Sequence, residues 1–230
     1  MNYSLEKYFS FAVSIDCVVF GFDGEDLKVL LIERSSEPFK NCWALPGDLL
    51  EPDKDLNSSV NKVLKDLTGL NGLYFEQVET FGETDRHPLG RVITTSYYTL
   101  VKVSDYILNP SSFAAEAKWF NVNKIGDLAF DHNKILTSCT NQLKKSVRVK
   151  PVGFELLPHK FTITQLQKLY EAVYGVEFDK RNFRKKIFQM DFLNDTGLMQ
   201  ENVSHRPAKL FEFDEQRYIE LKNKGFNFEL

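Results

Sequence analysis

The residues with the clearest chemical potential form a basic cluster near the C-terminus. Five positive charges fall within seven residues, more than a solvated helix face usually gathers without compensating acids: Lys180, Arg181, Arg184, Lys185 and Lys186. Such side chains can bind phosphates, and Arg181 or the neighbouring Asn182 could reach base edges from a helix N-terminus. The basic cluster therefore predicts contact with double-stranded DNA, and a charged surface helix without a partner is the alternative.

Two helices are predicted around this cluster. The first carries an apolar stripe at helical spacing and ends at Gly175, the stripe being Leu166, Leu169, Tyr170 and Val173. Asp179 is a good N-cap for a second helix over residues 180–192, which holds the basic cluster. A short turn separates the two helices, as in a helix-turn-helix.

The residues after these helices predict a two-stranded ribbon. Residues 198–200 and 209–213 are the expected strands, with a polar loop over 201–207 between them. Helix, turn, basic helix and ribbon is the order of a winged helix. His205 and Arg206 lie in the loop and could enter the minor groove, although exposed residues without a role are an almost equal alternative.

The first 150 residues predict strands interleaved with two helices. A hairpin is expected over 11–33, with further strands over 74–81, 91–103 and 117–122. Helices are expected over 55–69, capped by Asp55 or Asn57 and ended by Gly69, and over 132–146. We therefore expect an α+β chain, with an α/β/α sandwich and linker helix over 1–150 and a winged helix over 151–230.

The stretch from Trp43 to Leu70 resembles the Nudix box, a loop-helix-loop that binds a divalent metal at a diphosphate. Anchored on Gly69, the pattern aligns without gaps, but its first Gly, its Arg and three of its Glu positions are replaced by Asp48, Lys62, Lys54, Val63 and Leu67. Asp66 retains a carboxylate. Because hard cations such as Mg²⁺ take several oxygen ligands, the resemblance predicts the fold without its catalytic residues, metal or other cofactor.

The resemblance extends along nearly the whole chain. Residues 81–88, 90–93 and 129–132 look like the ADP-ribose-type Nudix branch, and residues 161–167 and 179–186 are similar to the winged helix of Nudix-related transcriptional regulators. That family implies a ligand-sensing domain, a DNA operator and a homodimer. Some members answer to ADP-ribose and others to sugars such as arabinose. The lost glutamates favour the sugar-responsive branch and carbohydrate metabolism, while a sugar nucleotide remains open, since binding does not require hydrolysis.

The same resemblance implies an effector site. Polar residues on segments that border the Nudix cleft are Arg34, Asp48, Glu51, Asp85, Arg86 and Arg91, and sugar hydroxyls or phosphates need such donors and acceptors. Each of them alone could instead belong to a surface ion pair. The pair Asp131 and His132 looks like a metal or acid-base pair, but its position before a helix favours Asp131 as an N-cap.

The composition of the chain excludes several further classes of protein. The formal net charge of −3 argues against a uniformly basic nucleic-acid coat, and three widely spaced cysteines suggest neither a disulfide framework nor a zinc cluster. With no signal-peptide pattern and no long apolar run, we expect a cytoplasmic protein without a membrane partner. Four basic residues follow or end the second predicted helix, and they either contact the DNA beside the operator or solvate the end of the helix: Lys144, Lys145, Arg148 and Lys150.

Two rival functions stay open at this point. An active, metal-dependent Nudix hydrolase acting on ADP-ribose-like molecules would use nonstandard ligands, with the metal shared among Asp48, Glu51, Asp53 and Asp66. A protein-interaction module would use the winged helix to bind a partner, which the basic cluster disfavours. The sequence does not name the effector, the operator or the sign of regulation.

Overall fold

The computed structural model describes residues 10–201, 203–204 and 206–226, which divide into two compact units. The first unit contains residues 10–21, 28–100 and 104–141, and the second contains 22–27, 101–103 and the described residues from 142 onward. The division falls within a helix, so the predicted domain boundary at residue 150 stays a prediction.

Mixed strands and two helices make up the N-terminal part of the chain. The elements in order are β1 (Ala12–Phe22), β2 (Leu27–Arg34), β3 (Trp43–Ala44), β4 (Gly47–Leu49), α1 (Leu56–Thr68), β5 (Glu76–Phe81), β6 (Val92–Lys102), β7 (Ala114–Asn121) and α2 (His132–Val149). Along the main path of the sheet the strand order is β3-β2-β1-β6-β5, while β4 pairs with β1 and β7 with β2. The predicted hairpin, the three further strands and both helices are confirmed to within a few residues.

Burial explains why this part forms a sandwich. Strand β1 is buried at every position from Ser14 to Phe22, so both of its faces are covered, as in a sheet between layers of helices. Helix α1 turns Val60, Val63, Leu64 and Leu67 inward. Its start is capped by Asp55, whose carboxylate accepts the Ser58 N–H, and its end by Gly69 at φ 85°, a left-handed conformation that favours glycine.

The C-terminal part has the winged-helix order that the sequence predicts. A 3-10 turn over Pro151–Leu156 is followed by α3 (Ile163–Tyr174), α4 (Lys180–Gln189), β8 (Leu193–Met199), β9 (Lys209–Phe213) and α5 (Glu215–Asn223). Thr162 and Gln165 form a capping box at the start of α3, and Gly175 ends that helix at φ 72°. Asp179 caps α4 by accepting the Asn182 N–H. The chain is thus of the α+β class, and its C-terminal part has the predicted order of helix, turn, basic helix and two-stranded ribbon.

Three features of this part differ from the sequence prediction. Helix α4 ends at Gln189 rather than 192, because Asp191 takes a φ of 57° and Phe192 turns fully into an aromatic core with Phe154 and Phe213. Strand β8 begins at residue 193, five residues early, since its polar residues give no alternation to recognise. Helix α5 was not predicted, and it buries no residue that could have formed a stripe.

No helix in the described ranges is long and apolar enough to cross a membrane.

A substitution at Leu67 tests whether α1 packs against the sheet through the positions where the Nudix pattern has glutamates. The side chain of Leu67 is 2% exposed, so we expect Leu67→Ala to lower the free energy of unfolding by about 2–5 kcal/mol through lost burial and a cavity. Ile107→Ala is the control, because Ile107 is 92% exposed. Both tryptophans, Trp43 and Trp119, lie in the first unit, so urea unfolding followed by tryptophan fluorescence reports on that unit. Equal midpoints for the two variants would contradict the packing role.

Candidate functional site

A cleft of about 310 Å³ opens in the first unit beside strands β1, β2 and β4. Its polar lining includes Asp16, Arg34, Asp48, Arg86 and His132, and its apolar lining includes Phe113 and Phe130. Concave surfaces with apolar walls and a few convergent polar groups are the usual form of a small-molecule site. Among the described residues, this cleft is therefore the first candidate for ligand binding.

Asp16 is the centre of the buried floor of this cleft. One carboxylate oxygen accepts a hydrogen bond from Thr94 Oγ1 at 2.7 Å and lies 3.5 Å from Arg86 Nη2. The other lies 3.3 Å from His132 Nε2. Burial by itself would raise the pKa of Asp16, but the hydrogen bonds from the His132 ring and the Thr94 hydroxyl, with the charge of the Arg86 guanidinium, together lower that pKa below its ordinary value.

Arg86 also binds Asp131 in a two-pronged ion pair. Its Nε donates to Asp131 Oδ2 at 2.9 Å and its Nη2 to Oδ1 at 2.7 Å, and the two side chains are 3% and 7% exposed. Asp131 stands at the predicted N-cap position, directly before α2, and its carbonyl accepts the Ile135 N–H at 3.3 Å, but both of its carboxylate oxygens bind the guanidinium. Planar bidentate pairing orients the two groups as well as binding them.

The hydrogen bonds of His132 fix its neutral tautomer. The backbone N–H of Leu45 donates to Nδ1 at 2.9 Å, so that nitrogen carries no proton. The ring proton is then on Nε2, which faces Asp16. Asp16, Arg86, Asp131 and His132 thus form one connected group, which we call the floor network.

Strand β4 approaches the floor network so closely that it needs a glycine. Gly47 pairs with Asp16 in the sheet register, and a Cβ at Gly47 would lie 2.0 Å from Asp16 Oδ1. Any side chain at this position would displace the carboxylate from its partners. Gly47, rather than the neighbouring Asp48, is therefore the residue whose backbone is constrained here.

The rim of the cleft combines a guanidinium with aromatic rings. Arg34 lies over the rings of Phe113 and Phe130, 5.2 and 5.1 Å from their centroids, and its Nε donates to the Pro38 carbonyl. His87 stacks on Phe130 at 5.1 Å. Burial, with the charges of Arg86 and Arg34, lowers the pKa of His87, so its ring is neutral near pH 7. This rim can stack a flat ring and offer the terminal nitrogens of Arg34 to an anion.

The structure brings half of the predicted effector residues to this cleft. Arg34, Asp48 and Arg86 line it, whereas Glu51 and Asp85 are exposed elsewhere and Arg91 packs 5.9 Å from the ring of Phe11. The sequence analysis did not identify Asp16, His87, Phe113 and Phe130 as site residues, and it assigned His132 no role in the effector site. One signal was available, because Asp16 is a lone charge within the apolar run of β1.

The box region holds paired charges rather than a metal site. Glu51 forms ion pairs with Lys54 and, at 3.4 Å, with Lys62, and Lys62 lies 3.0 Å from Asp66. The Lys54 hydrogen bond lowers the pKa of Glu51, so the Glu51 carboxylate stays charged beside its lysines. Val63 and Leu67 are buried. Among the described residues no group of three or more metal-binding side chains gathers, and two ammonium groups beside two carboxylates do not fit the divalent metal of the Nudix box.

In the second unit, α4 presents the predicted DNA-contacting residues on one exposed surface. Phe183 and Ile187 point inward, whereas the six predicted residues are all exposed: Lys180, Arg181, Asn182, Arg184, Lys185 and Lys186. Arg184 also lies 5.2 Å from the ring of exposed Phe188. This arrangement places positive charge on the solvent side of the second helix of the winged helix, where phosphates could bind.

The loop between β8 and β9 carries the other two residues that were predicted to contact DNA. Arg206 is exposed and lines a surface pocket with Lys168 and Gln200, while His205 lies outside the described residues. Their assignment to DNA binding stays a prediction, as does the role of Lys144, Lys145, Arg148 and Lys150.

Comparison with known protein families agrees with this geometry. A model of the NUDIX domain matches residues 10–139, and a model of the NrtR DNA-binding winged helix domain matches residues 153–213. Over 231 aligned residues the chain is 31% identical to a curated protein of Acinetobacter baylyi named ADPR responsive transcriptional repressor NtrR, covering 99% of this chain and 89% of that protein. The chain belongs to the NrtR-type family of Nudix-related transcriptional regulators.

Solved structures of NrtR-type proteins cover both parts of the chain. The structure of Shewanella oneidensis NrtR complexed with a 27mer DNA has a TM-score of 0.73 and 27% identity, covering 94% of this chain and 97% of that one. The NUDIX domain of the same Shewanella protein, solved in complex with ADP ribose, has a TM-score of 0.56 and 28% identity, covering 62% of this chain and 94% of that one.

The lowered pKa of Asp16 predicts an acid-labile first unit. Because its folded pKa lies below the unfolded value, ionised Asp16 stabilises the native state above about pH 4, and this contribution is lost as the pH falls through the folded pKa. We expect the urea midpoint, followed by tryptophan fluorescence, to fall between pH 5 and pH 2.5, and to fall less steeply in Asp16→Asn. Asp53→Asn, at an exposed position, is the control. Parallel pH profiles for wild type and Asp16→Asn would refute the assignment.

Proposed function

We propose that this chain is a transcriptional repressor that binds an operator as a homodimer through α4 and releases it when ADP-ribose occupies the cleft of the first unit. The observation that carries the proposal is one chain holding both an aromatic, arginine-bearing cleft and a helix with an exposed basic surface. Control by an effector requires that the DNA-bound and the DNA-free protein differ in their affinity for it. The chain therefore needs both an effector site and a DNA-binding surface.

The α4 surface supports DNA as the partner. The six predicted residues on this helix are exposed and include five cations, while the buried Phe183 and Ile187 anchor the helix in its unit. Cations on a rigid helix bind phosphates without sequence preference, and Asn182 and Arg181 in the first turn are placed for base edges. A relative of the same domain order, Shewanella NrtR, is named in complex with a 27mer DNA.

The cleft supports a nucleotide sugar better than a free pentose. A pentose offers hydroxyls only, whereas Phe113, Phe130 and Arg34 form a stacking rim suited to a base, with a guanidinium available to phosphate. The names of the relatives point the same way, since the Acinetobacter protein is called ADPR responsive and the Shewanella domain is complexed with ADP ribose. Arabinose, which the altered box favours, is therefore an arm of the test rather than the proposed effector.

Binding in this proposal does not lead to hydrolysis. The positions that resemble catalytic glutamates hold Lys54, Val63 and Leu67, and Glu51 and Asp66 are paired with lysines. Turnover of ADP-ribose that requires Mg²⁺ and disappears in Asp66→Ala would replace the proposal by the hydrolase reading.

The DNA part is tested by removing two cations from α4. We expect Arg184→Ala with Lys185→Ala to weaken binding to the DNA upstream of this gene and to lower the salt slope of log K by about two, because two phosphate contacts are lost. Lys118→Ala with Lys124→Ala removes the same charge from the first unit and is the control. Fluorescence anisotropy across a salt series provides the measurement. Equal slopes in the two double variants would exclude α4 as the DNA surface.

The effector part is tested by removing the guanidinium at the rim. We expect Arg34→Ala to weaken ADP-ribose binding at least about tenfold, because a hydrogen-bonded charge pair is lost, and to leave DNA binding without effector unchanged. Lys40→Ala removes one exposed positive charge from the loop after β2 and serves as control. Calorimetry with ADP-ribose and arabinose decides the effector: a wild-type protein that binds arabinose and not ADP-ribose overturns this half of the proposal.

A further inference from the structure

The turn between α3 and α4 is held by side chains of α3. The turn contains Gly175, Val176, Glu177 and Phe178 and leads directly to the N-cap Asp179. Glu171 Oε1 accepts the backbone N–H of Phe178 at 2.9 Å, and Gln167 Nε2 donates to the Phe178 carbonyl at 3.0 Å. Both polar groups of the Phe178 backbone are therefore bound by α3.

The two side chains that hold the turn also hold each other. Gln167 Nε2 donates to Glu171 Oε1 at 2.8 Å, one helical turn apart, and Gln167 is 7% exposed. A buried amide with its partners in place is costly to move, because any shift leaves a donor or acceptor unpaired. We call Gln167, Glu171 and the Phe178 backbone the turn clamp.

Apolar packing keeps α4 against its unit without fixing the start of the helix as closely. Phe183 and Ile187 are buried, and the Phe183 ring lies 6.0 Å from Tyr170 and 5.8 Å from Phe178. Such contacts tolerate small rotations of a helix, whereas hydrogen bonds to a backbone N–H and C=O fix direction. The clamp therefore acts where α4 begins, at most four residues from Arg181 and Asn182.

We infer that Gln167 and Glu171 are positioning residues that set the sequence preference of DNA binding by fixing the first turn of α4. The inference rests on the proposed function. Phosphate contacts depend on charge and survive a small displacement of the helix, whereas bidentate contacts to base edges are lost when donors move by a fraction of an ångström. The clamp thus governs preference for the operator, and the basic cluster governs affinity for any DNA.

The test compares Glu171→Ala with Glu177→Ala. Each removes one negative charge, but Glu177 is exposed in the turn and outside the clamp. Affinities are measured by anisotropy for operator DNA and for a shuffled duplex of equal length, across a salt series. We expect Glu171→Ala to lose roughly tenfold of the operator preference while its affinity for shuffled DNA and its salt slope match those of Glu177→Ala. Glu171→Gln keeps an acceptor for the Phe178 N–H and should retain most of the preference.

Two further measurements keep the outcome decisive. Gln167→Met has a similar volume and removes the amide, so it replaces Glu171→Ala if that variant melts much lower than the control. Amide hydrogen exchange without DNA should be faster at Phe178 and in the first turn of α4 in the clamp variants than in Glu177→Ala. Unchanged preference and unchanged exchange in both clamp variants would overturn the inference. A wild-type protein without operator preference but with the expected exchange pattern would instead count against the proposed function.

Discussion

The first unit depends on one buried guanidinium. Arg86 lies between Asp16 of β1 and Asp131 at the start of α2, and its side chain is 3% exposed. Without this cation the two buried carboxylates would repel each other, and no water would screen them. Removing the Arg86 side chain would therefore lower the free energy of unfolding by about 3–5 kcal/mol. Because the pair is bidentate, the loop that carries Arg86 and the beginning of α2 are held in one geometry. This interaction therefore fixes the positions of the residues that form the floor of the cleft.

The same network shows why part of the site was not predictable from the sequence. Caps and stripes are local signals, so α1, α3 and α4 were predicted, with a cap at Asp55 or Asn57 for α1 and at Asp179 for α4. The capping box of Thr162 and Gln165 at the start of α3 was not predicted. Arg86 and Asp131 are 45 residues apart, and Asp16 and Thr94 are 78 apart. No periodicity links such positions, and Asp131 was accordingly interpreted as a local cap. Aromatic rim residues such as Phe113 carry no signal beyond their type.

In the segment that resembles the Nudix box, the residues that the fold requires are present, whereas most of the glutamates that the catalytic pattern requires are replaced. Gly69 ends α1 in a left-handed conformation, and Val63 and Leu67 pack inward, so the helix keeps its place in the sandwich. Carboxylates at those positions would contribute nothing to packing. Where charge remains, Lys54 and Lys62 pair with Glu51 and Asp66. The first unit thus combines a cleft that could hold a ligand with a box region whose charges are paired with one another.

The central claim is that the cleft and the α4 surface are coupled, and coupling between two binding sites is reciprocal. The most direct test is to measure ADP-ribose affinity by calorimetry with and without saturating operator DNA, and operator affinity with and without saturating ADP-ribose. The account predicts that each ligand weakens the other by the same factor, several-fold or more. Binding of ADP-ribose with an affinity that operator DNA leaves unchanged would contradict it.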